Sequence, residues 1–342
     1  MELREALREV VGGNRLDRDQ ARAVFAGALS ESADPVALGA LLGALAARGE
    51  AVAEIVGAAE ALRAAMRPFA HDCPQAVDTC GTGGDGLGSF NLSTAAALVA
   101  AAAGAKVIKH GNRSVSSMCG SADLLEAAGV PLELDAAQAA VVFEEVGITF
   151  LFAPGFHPAM RFAAPVRKAM GVRTIFNFLG PLCNPGGVRR HLLGVSDPDR
   201  VEAFAQVLEG LGFESAYVVH GAGGADELTL AGANRVRAVG AAPELGFDAV
   251  PLGLEEAPVA ALAGGDAARN LRLWHDLLAG AGGPMHDAVC LNAGATLVVA
   301  GVADSAADGV ERARRALASG AARRLLARWV EIGGRVARGA SA

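Results

Sequence analysis

The residues best suited to chemistry begin in a glycine-rich segment, Asp78-Thr-Cys-Gly-Thr-Gly-Gly-Asp85-Gly-Leu-Gly88. Its five glycines let the backbone approach a ligand closely and turn N–H groups towards it. Asn91, Ser93 and Thr94 then open an alanine-rich helix, whose first amide groups are free to bind a phosphate. Asp85 can organise the loop, or bind a metal ion or a ribose hydroxyl. Together these features predict a phosphate site, whereas a lone glycine-rich turn would not.

The glycine-rich segment differs from the two common nucleotide motifs. No Gly-Lys-Ser/Thr sequence follows the glycines, as an ATP-binding loop requires. The dinucleotide spacing, with its later acidic residue, is not met either. The pattern therefore favours a phosphorylated ligand other than ATP or NAD.

A second polar segment, Lys109-His-Gly-Asn-Arg-Ser-Val-Ser-Ser117, follows the apolar run that ends at Lys109 and leads to Gly120–Asp123. Ligands of α/β sheets bind at the carboxyl ends of strands, where this segment is expected to lie. The chain has 30 basic residues and only three are lysines, so a lysine here indicates a need for a compact charge. The density of donors favours an anion site over a solvated basic loop.

Two further groups are weaker signals. Asp226-Glu227 lies in a glycine-rich turn after an apolar strand, and adjacent carboxylates of this kind can share Mg²⁺ ions with phosphates and waters. Such pairs are usually solvated surface, but two phosphate-type loops upstream favour metal binding. His157 and Arg167 carry no functional signal by themselves, since isolated histidines and Arg-Lys pairs are mostly structural or exposed.

The composition restricts the class of protein. The chain has 342 residues, is 52% hydrophobic and has a formal net charge of −7 without a dense basic run. This argues against a general nucleic-acid binder and against disorder. Five scattered cysteines without a C-x-x-C pair read as reduced thiols of a cytoplasmic protein. The N-terminus resembles no secretory signal, and no apolar run is long enough to span a bilayer.

The residue patterns predict two kinds of architecture. The first seventy or so residues read as four short-linked helices, with Asp17 and Asp34-Pro35 as helix starts and Gly49 as a helix end. From Gln75, short apolar runs alternate with helical patterns, which predicts a mainly parallel α/β sheet. The chain is helical again from about Asn270. The turn-rich stretch 160–185 reads only as a crossover or hinge.

Taken together, these segments resemble the anthranilate phosphoribosyltransferase family. The resemblance covers essentially the whole chain and rests on an ordered set of motifs: DTCGTGGD at 78–85, FNLST at 90–94, KHGNRSVSS at 109–117, GSADLLEAAG at 120–129, FAPGFHPAM at 152–160, VRKAMGVRTIFNFLGPLCNP at 166–185 and HG…DELT at 220–229. It implies transfer of the 5-phosphoribosyl group of phosphoribosyl pyrophosphate to anthranilate, in tryptophan biosynthesis, with Mg²⁺ as cofactor and two ions expected.

The resemblance also implies an α/β fold of the nucleoside phosphorylase and class II phosphoribosyltransferase type. A small helical domain, residues 1–70 plus about 165–185, would form a homodimer and one side of the anthranilate cleft. A larger α/β domain, residues 71–164 plus about 186–342, would have a mainly parallel central sheet and bind phosphoribosyl pyrophosphate and Mg²⁺. No nucleic-acid or membrane partner is expected.

Site residues carry over position by position. Phosphoribosyl pyrophosphate would bind Gly81, Thr82, Gly83, Gly84, Asp85, Asn91, Ser93, Thr94, Lys109 and Ser121. Anthranilate would bind Gly81, His110, Asn112, His157, Arg167, Gly180 and Pro181. Metal ions would bind Ser93, Asp226 and Glu227. Met118-Cys119 departs from the family pattern, which has a more polar residue and then a small one, and this puts one phosphate contact in doubt.

Two other activities are open to a chain of this kind. A pyrimidine nucleoside phosphorylase shares the general fold, but it is expected to lack KHGN followed by RSVSS and to use inorganic phosphate without Mg²⁺. A non-catalytic relative that binds nucleic acid should have lost GTGGD or the Asp-Glu pair and gained basic surface. Both motifs are present here and the net charge is −7, so both alternatives rank below phosphoribosyl transfer.

Overall fold

The computed structural model describes residues 1–114 and 118–339, which form fifteen α-helices and six β-strands. The strands are β1 (Val77–Gly81), β2 (Val107–Gly111), β3 (Ile148–Phe152), β4 (Arg190–Gly194), β5 (Ser215–His220) and β6 (Arg235–Gly240). The helices are α1 (Leu3–Val11), α2 (Arg18–Ala28), α3 (Pro35–Arg48), α4 (Val52–Ala65), α5 (Leu92–Ala102), α6 (Ser121–Ala127), α7 (Ala136–Val146), α8 (Ala153–Phe156), α9 (Met160–Met170), α10 (Phe176–Leu179), α11 (Val201–Gly210), α12 (Ala267–Leu278), α13 (Pro284–Val299), α14 (Ala306–Ala318) and α15 (Ala321–Ala337). No helix in these ranges is long and apolar enough to cross a membrane.

The four N-terminal helices begin where the sequence places their caps. The Asp17 carboxylate accepts the backbone N–H of Gln20 at 2.8 Å and starts α2. Asp34 accepts two backbone N–H groups and starts α3, with Pro35 at the first helical position. These side chains satisfy amides that have no partner within the helix. The predicted helical N-terminal region is therefore confirmed, including the end of α3 at Gly49.

The six strands form one sheet in the order β3-β2-β1-β4-β5-β6. Strands β1 to β5 are parallel, and only β6 is antiparallel, against β5. The chain leaves β1 first towards β2 and later returns to β4 on its other side. A sheet whose strand order reverses in this way opens a crevice at the carboxyl ends of the strands on either side of the reversal. The small helical region and the mainly parallel sheet confirm the predicted fold class.

Two hydrophobic cores hold this architecture together. One core joins the sheet to the C-terminal helices, on the face of β4 and β5 that carries Leu192 and Tyr217, and includes Trp274 and Trp329. The other joins α1 to α4, α9, α10 and α11 to the opposite face of β4 and β5. The N-terminal helices are therefore joined to the sheet through α11, because α4 packs against α11 and α11 packs against β5 and β6.

The segment 160–185 is more regular than the sequence suggests. Residues Met160–Met170 form α9, which packs against α3 and contains Pro165 in its interior. An internal proline normally signals a helix end, so the turn-rich interpretation was wrong for this part. The remainder consists of α10 and a 3₁₀ turn at Gly180–Leu182. The division of the chain into domains at about 165 and 185 stays a prediction.

Strand β6 closes one edge of the sheet and was not predicted. Its Arg237 guanidinium lies 3.1 Å from the Glu202 carboxylate and 3.7 Å from those of Glu209 and Glu244. The strand has only a short buried stretch at Ala238 and Val239, so its apolar pattern is weak. This strand forms because its backbone pairs with β5, and not because of its own residue pattern.

The close crossing of α2 and α4 gives a stability prediction. A Cβ atom at Gly57 would lie 2.3 Å from the Arg18 carbonyl oxygen and 2.8 Å from the Ala21 Cβ. Gly57→Ala must push the helices apart, so we expect the free energy of unfolding to fall by about 1–3 kcal/mol, measured by urea denaturation. Gly27→Ala is the control, because a Cβ there meets nothing within 4 Å; it should raise stability by up to about 1 kcal/mol. Equal stability of Gly57→Ala and the unmodified chain would contradict this packing.

Candidate active site

The predicted site segments meet at the carboxyl ends of β1, β2 and β4. Gly81 ends β1, Gly111 ends β2 and Gly194 ends β4, with β1 between the other two strands. The glycine-rich loop therefore leaves the sheet at the point where the strand order reverses. This is where open α/β sheets bind ligands.

Asp226 lies against the glycine-rich loop because the residues that it contacts there are glycines, which have no side chain. A Cβ at Gly81 would lie 2.0 Å from Asp226 Oδ2, and one at Gly194 would lie 1.5 Å from the Asp226 carbonyl oxygen. The Gly83 N–H donates to Asp226 Oδ2 at 2.6 Å. The glycines thus permit the close approach, and the loop amide fixes the carboxylate.

Three carboxylates converge beside this loop. Asp85, Asp226 and Glu227 each offer one oxygen, and these oxygens lie within 4.8 Å of one another. Burial, and then the charge of Asp85, raise the pKa of Asp226 to about 6. Burial, and then Asp226 and Asp85, raise the pKa of Glu227 well above its usual range. Asp85 Oδ2 and Glu227 Oε2 are buried without a hydrogen-bond partner in the part of the chain that the structure describes.

This acidic group fits a divalent metal ion. Mg²⁺ prefers carboxylate oxygens together with phosphate and water. Two buried oxygens lack partners, and the crowding of three negative charges disfavours the ionised forms. A cation at these oxygens would relieve both. The fold thus brings the predicted metal ligands Asp226 and Glu227 together with Asp85. The sequence had allowed Asp85 to organise the loop, or to bind a metal ion or a ribose hydroxyl.

The start of α5 and the end of β2 face the same group. The Ser93 backbone N–H and the Lys109 charge both act to lower the pKa of Glu227, against the larger effect of its burial. Thr94 is buried and its hydroxyl lacks a hydrogen-bond partner among residues 1–114 and 118–339. Lys109 is 1% exposed and its Nζ donates to the Thr79 carbonyl. The Asn91 amide instead donates to the Cys119 carbonyl at 3.0 Å, so it secures the second polar segment.

His110, which lies in β2, and His157 form a buried pair. Their Nε2 atoms lie 3.1 Å apart, and His110 Nδ1 lies 3.2 Å from the Gly180 carbonyl oxygen. Burial lowers the pKa of each histidine to about 4, so both are neutral at pH 7. A carbonyl can only accept, so His110 Nδ1 carries the proton and its Nε2 accepts from His157. Gly180 and the buried Pro181 thereby connect the crossover segment to β2.

Sequence reasoning missed the groups that tie these elements together. Asp78 is fully buried in β1 and accepts the Asn184 side-chain amide at 2.8 Å. Asn184 also donates to the Ile108 carbonyl in β2 at 2.7 Å. Both residues fall within recognised motifs, but only the fold shows that they join β1, β2 and the crossover segment.

Arg173 was also missed. Its Nη2 donates to the Thr82 carbonyl at 3.1 Å, and its guanidinium lies 5.8 Å from the centroid of the Phe178 ring. A Cβ at Gly84 would lie 1.5 Å from Arg173 Nη1. No local sequence signal could have found this contact, because 91 positions separate the partners.

Other predicted residues lie apart from these clusters. The Arg167 guanidinium lies 5.5 Å from the centroid of the Phe176 ring, and no hydrogen bond joins it to another predicted residue within the described ranges. The Asn112 side chain accepts the Arg113 N–H at 2.7 Å, and the Asn112 carbonyl accepts from the Ser121 hydroxyl at 3.3 Å. Met118 is 70% exposed. Residues 115–117 of the second polar segment lie outside the described residues.

Comparison with known proteins gives the class to which this fold and site belong. The Glycosyl transferase family, helical bundle domain, matches residues 4–66, and the Glycosyl transferase family, a/b domain, matches residues 73–323. The crystal structure of anthranilate phosphoribosyltransferase from Thermus thermophilus superposes with a TM-score of 0.90 at 47% identity, over 96% of this chain and 99% of that one. The Saccharomyces cerevisiae enzyme, 23% identical, shares the fold with a TM-score of 0.87, over 97% of this chain and 98% of that one.

The chain is thus a glycosyltransferase with a helical bundle and an α/β domain. Anthranilate phosphoribosyltransferase of Roseiflexus sp. strain RS-1 is 47% identical over 336 residues, 97% of this chain and 98% of that protein. The Desulfatibacillum aliphaticivorans enzyme is 46% identical over 93% of this chain and 95% of its own length. The chain belongs to the anthranilate phosphoribosyltransferase family, which confirms the resemblance seen in the motifs.

The neutral histidine pair gives a prediction for stability in acid. The folded chain keeps these side chains unprotonated down to about pH 4, whereas unfolded histidines take up protons near about pH 6.5. The unfolded state therefore binds more protons in this window, and the free energy of unfolding should fall as pH falls from about 6.5 to about 4. One such histidine accounts for about 3 kcal/mol at the acid end.

Urea denaturation at several pH values measures this effect. His157→Asn should flatten the dependence on pH, because it removes one group whose pKa differs between the two states. His275→Asn is the matched control, since His275 is exposed on α12, and it should leave the slope unchanged. An unaltered slope in His157→Asn would show that the pair is not buried in its neutral form.

Proposed function

We propose that this chain transfers the 5-phosphoribosyl group from phosphoribosyl pyrophosphate to anthranilate, giving N-(5-phosphoribosyl)anthranilate and pyrophosphate. This is a pentosyl transfer in tryptophan biosynthesis. The observation that carries the proposal is the group of three carboxylates beside the glycine-rich loop, in a chain that belongs to the anthranilate phosphoribosyltransferase family. The loop, the start of α5 and the carboxylates supply what a pyrophosphate leaving group requires.

Phosphoribosyl pyrophosphate binds along the loop from β1 to α5. Gly83 and Gly84 have φ values of +67° and +81°, which turn the loop backbone over the carboxylates. The N-terminus of α5 attracts phosphate through the partial positive charge of its backbone amides. The complete set is Gly81, Thr82, Gly83, Gly84, Asp85, Asn91, Ser93, Thr94, Lys109 and Ser121.

Mg²⁺ binds at Asp226 and Glu227, with Ser93 at a second position, and two ions are expected. Asp85 joins this set, since one of its oxygens lies with theirs and its Oδ2 has no hydrogen-bond partner among the described residues. The chemistry that the metal supplies when bound is neutralisation of charge on the departing pyrophosphate. Gly83 and the start of α5 hold the carboxylates in place for it.

Anthranilate binds at the crossover segment. The set is Gly81, His110, Asn112, His157, Arg167, Gly180 and Pro181. Arg167 is half-buried and has no carboxylate partner within the described ranges, so its charge is available for the anthranilate carboxylate. The neutral His110–His157 pair presents hydrogen-bonding groups without repelling or protonating the amine.

Positioning dominates the mechanism. The aromatic amine of anthranilate is neutral at pH 7, so its attack on C1 of the ribose needs no strong base. The transition state resembles an oxocarbenium ion, and negative charge grows on the pyrophosphate as the bond to C1 breaks. The start of α5 and the buried Lys109 place positive charge beside the carboxylates, and fixed charges of this kind stabilise a transition state without reorganisation. Arg167 and the histidine pair align the amine.

We also infer the assembly and location of the protein. The helical region, residues 1–70 with about 165–185, forms the dimer interface of a cytoplasmic homodimer. Val36 on α3 is 79% exposed and Val11 at the end of α1 is 71% exposed. Apolar side chains this exposed on the helical region are consistent with a partner surface there. Residues 71–164 with about 186–342 form the catalytic α/β domain.

The loss of anthranilate fluorescence tests the activity. We expect the fluorescence to fall when phosphoribosyl pyrophosphate and Mg²⁺ are both present, because the amine is converted to its N-ribosyl derivative. Omission of either should abolish the change. Stable fluorescence from folded protein with both present would contradict the proposed function and direct attention to phosphorolysis of pyrimidine nucleosides.

The metal site has its own test. Glu227→Gln keeps the shape but removes one negative charge, so the Mg²⁺ concentration for half-maximal activity should rise at least about tenfold. Glu244→Gln is the control, since the Glu244 side chain is 78% exposed and pairs with Arg237 on the edge strand. An unchanged Mg²⁺ titration in Glu227→Gln would remove Glu227 from the metal site.

A further inference from the structure

Arg173 is the cation that the crossover segment places on the glycine-rich loop. It lies between α9 and α10, on the helical side of the crevice. Its Nη2 donates to the Thr82 carbonyl at 3.1 Å, and the Phe178 ring lies 5.8 Å from its guanidinium carbon. These two contacts hold a long side chain in one place, so little of its conformational freedom remains to be lost on binding a ligand.

The loop is shaped to receive this guanidinium. A Cβ at Gly84 would lie 1.5 Å from Arg173 Nη1, whereas a Cβ at Gly83, Gly86 or Gly88 would meet nothing within 4 Å. Gly84 therefore differs from the other three glycines: it leaves room for the arginine. The side chain reaches the loop backbone itself, along which the proposed function places phosphoribosyl pyrophosphate.

The positive charge of Arg173 is not consumed by an ion pair. No carboxylate in residues 1–114 or 118–339 forms a salt bridge with it, and the residue is exposed. Arg200 lines the same cavity of ≈ 220 Å³ and provides the contrast. Its guanidinium lies 2.9 Å from the Glu50 carboxylate, whose side chain is 2% exposed. Of these two arginines, only Arg173 has no carboxylate partner among the described residues.

We propose that Arg173 binds the pyrophosphate of phosphoribosyl pyrophosphate. This assignment rests on the proposed function and adds a residue to its binding site. The ligand class is a diphosphate ester. A planar guanidinium with several N–H donors can bind phosphate oxygens while one N–H remains on Thr82. Held by Thr82 and Phe178, the charge is in position before the substrate arrives.

Steady-state kinetics of two variants tests this role. R173Q retains an N–H donor for the Thr82 carbonyl but removes the charge. Its KM for phosphoribosyl pyrophosphate should rise about tenfold, the effect of losing one hydrogen bond to a charged group. Its KM for anthranilate should stay within about twofold. R173K retains a charge, so its KM for phosphoribosyl pyrophosphate should lie at least about threefold below that of R173Q.

Calorimetric titration with inorganic pyrophosphate in Mg²⁺ gives a readout that needs no turnover. R173Q should bind pyrophosphate about tenfold more weakly than the unmodified chain. R161Q is the matched control, because Arg161 is also exposed and its guanidinium lies 4.6 Å from the centroid of a phenylalanine ring, that of Phe162. It should match the unmodified chain in both experiments.

Three results would overturn the assignment. The first is an unchanged KM for phosphoribosyl pyrophosphate with unchanged pyrophosphate affinity in R173Q. The second is a KM for phosphoribosyl pyrophosphate in R173K as high as that in R173Q. The third is an equal rise in KM for both substrates together with a lower melting temperature in R173Q. Failure of the proposed function looks different. In that case the unmodified chain would not consume anthranilate at all, while the pyrophosphate titration would still decide whether Arg173 binds a diphosphate.

Discussion

The arrangement of the crevice depends on how the repulsion among three carboxylates is offset. Asp85, Asp226 and Glu227 place oxygens within 4.8 Å of one another, where burial weakens the screening of their charges by solvent. Such an arrangement is tolerated only where surrounding groups favour the ionised forms. The Gly83 amide, the start of α5 and the Lys109 ammonium do so here. Gly81, Gly194 and Gly221 leave room for the Asp226-Glu227 turn. The close backbone packing therefore makes possible the contacts that stabilise the carboxylates.

The crossover segment connects that acidic group to the helical region. It contributes the Gly180 carbonyl to His110, the Asn184 amide to Asp78 and the Arg173 guanidinium to Thr82. These contacts reach β2, β1 and the glycine-rich loop in turn. The same segment packs into the core of the N-terminal helices through Phe176 and Leu179. Any change in how the helical region packs against the sheet is therefore transmitted to residues that are proposed to bind the two substrates.

The sequence predicted those features whose signals are local. The run ITFLF coincides with β3 at Ile148–Phe152, and Asp17 and Asp34 mark the starts of their helices. A strand of consecutive apolar residues and a capping carboxylate are both determined within a few positions. The glycine loop and the Asp226-Glu227 pair were recognisable for the same reason, since their chemistry lies in neighbouring residues.

The features that were missed depend on distant partners. Helix α9 contains Pro165, and it persists because Ala163 and Val166 are buried in the helical core. The Asn184–Asp78 hydrogen bond spans 106 positions and the Arg173–Thr82 bond spans 91. In a single sequence, neither residue type nor spacing can predict hydrogen bonds between partners this far apart. Strand β6 is a related case. Its apolar pattern is too weak to predict a strand, and the strand forms because its backbone hydrogen bonds are made to β5.

Strand β6 also has a consequence for the behaviour of the protein at high concentration. A parallel sheet that ended at β5 would expose a row of unsatisfied backbone groups, to which a second sheet could add. Here the last strand runs in the opposite direction and carries Arg235 and Arg237, with acidic side chains gathered around the second of these. Long charged side chains on an outer strand obstruct edge-to-edge addition. Strand β6 therefore gives this edge of the sheet a charged boundary that disfavours pairing with the sheet of a second molecule.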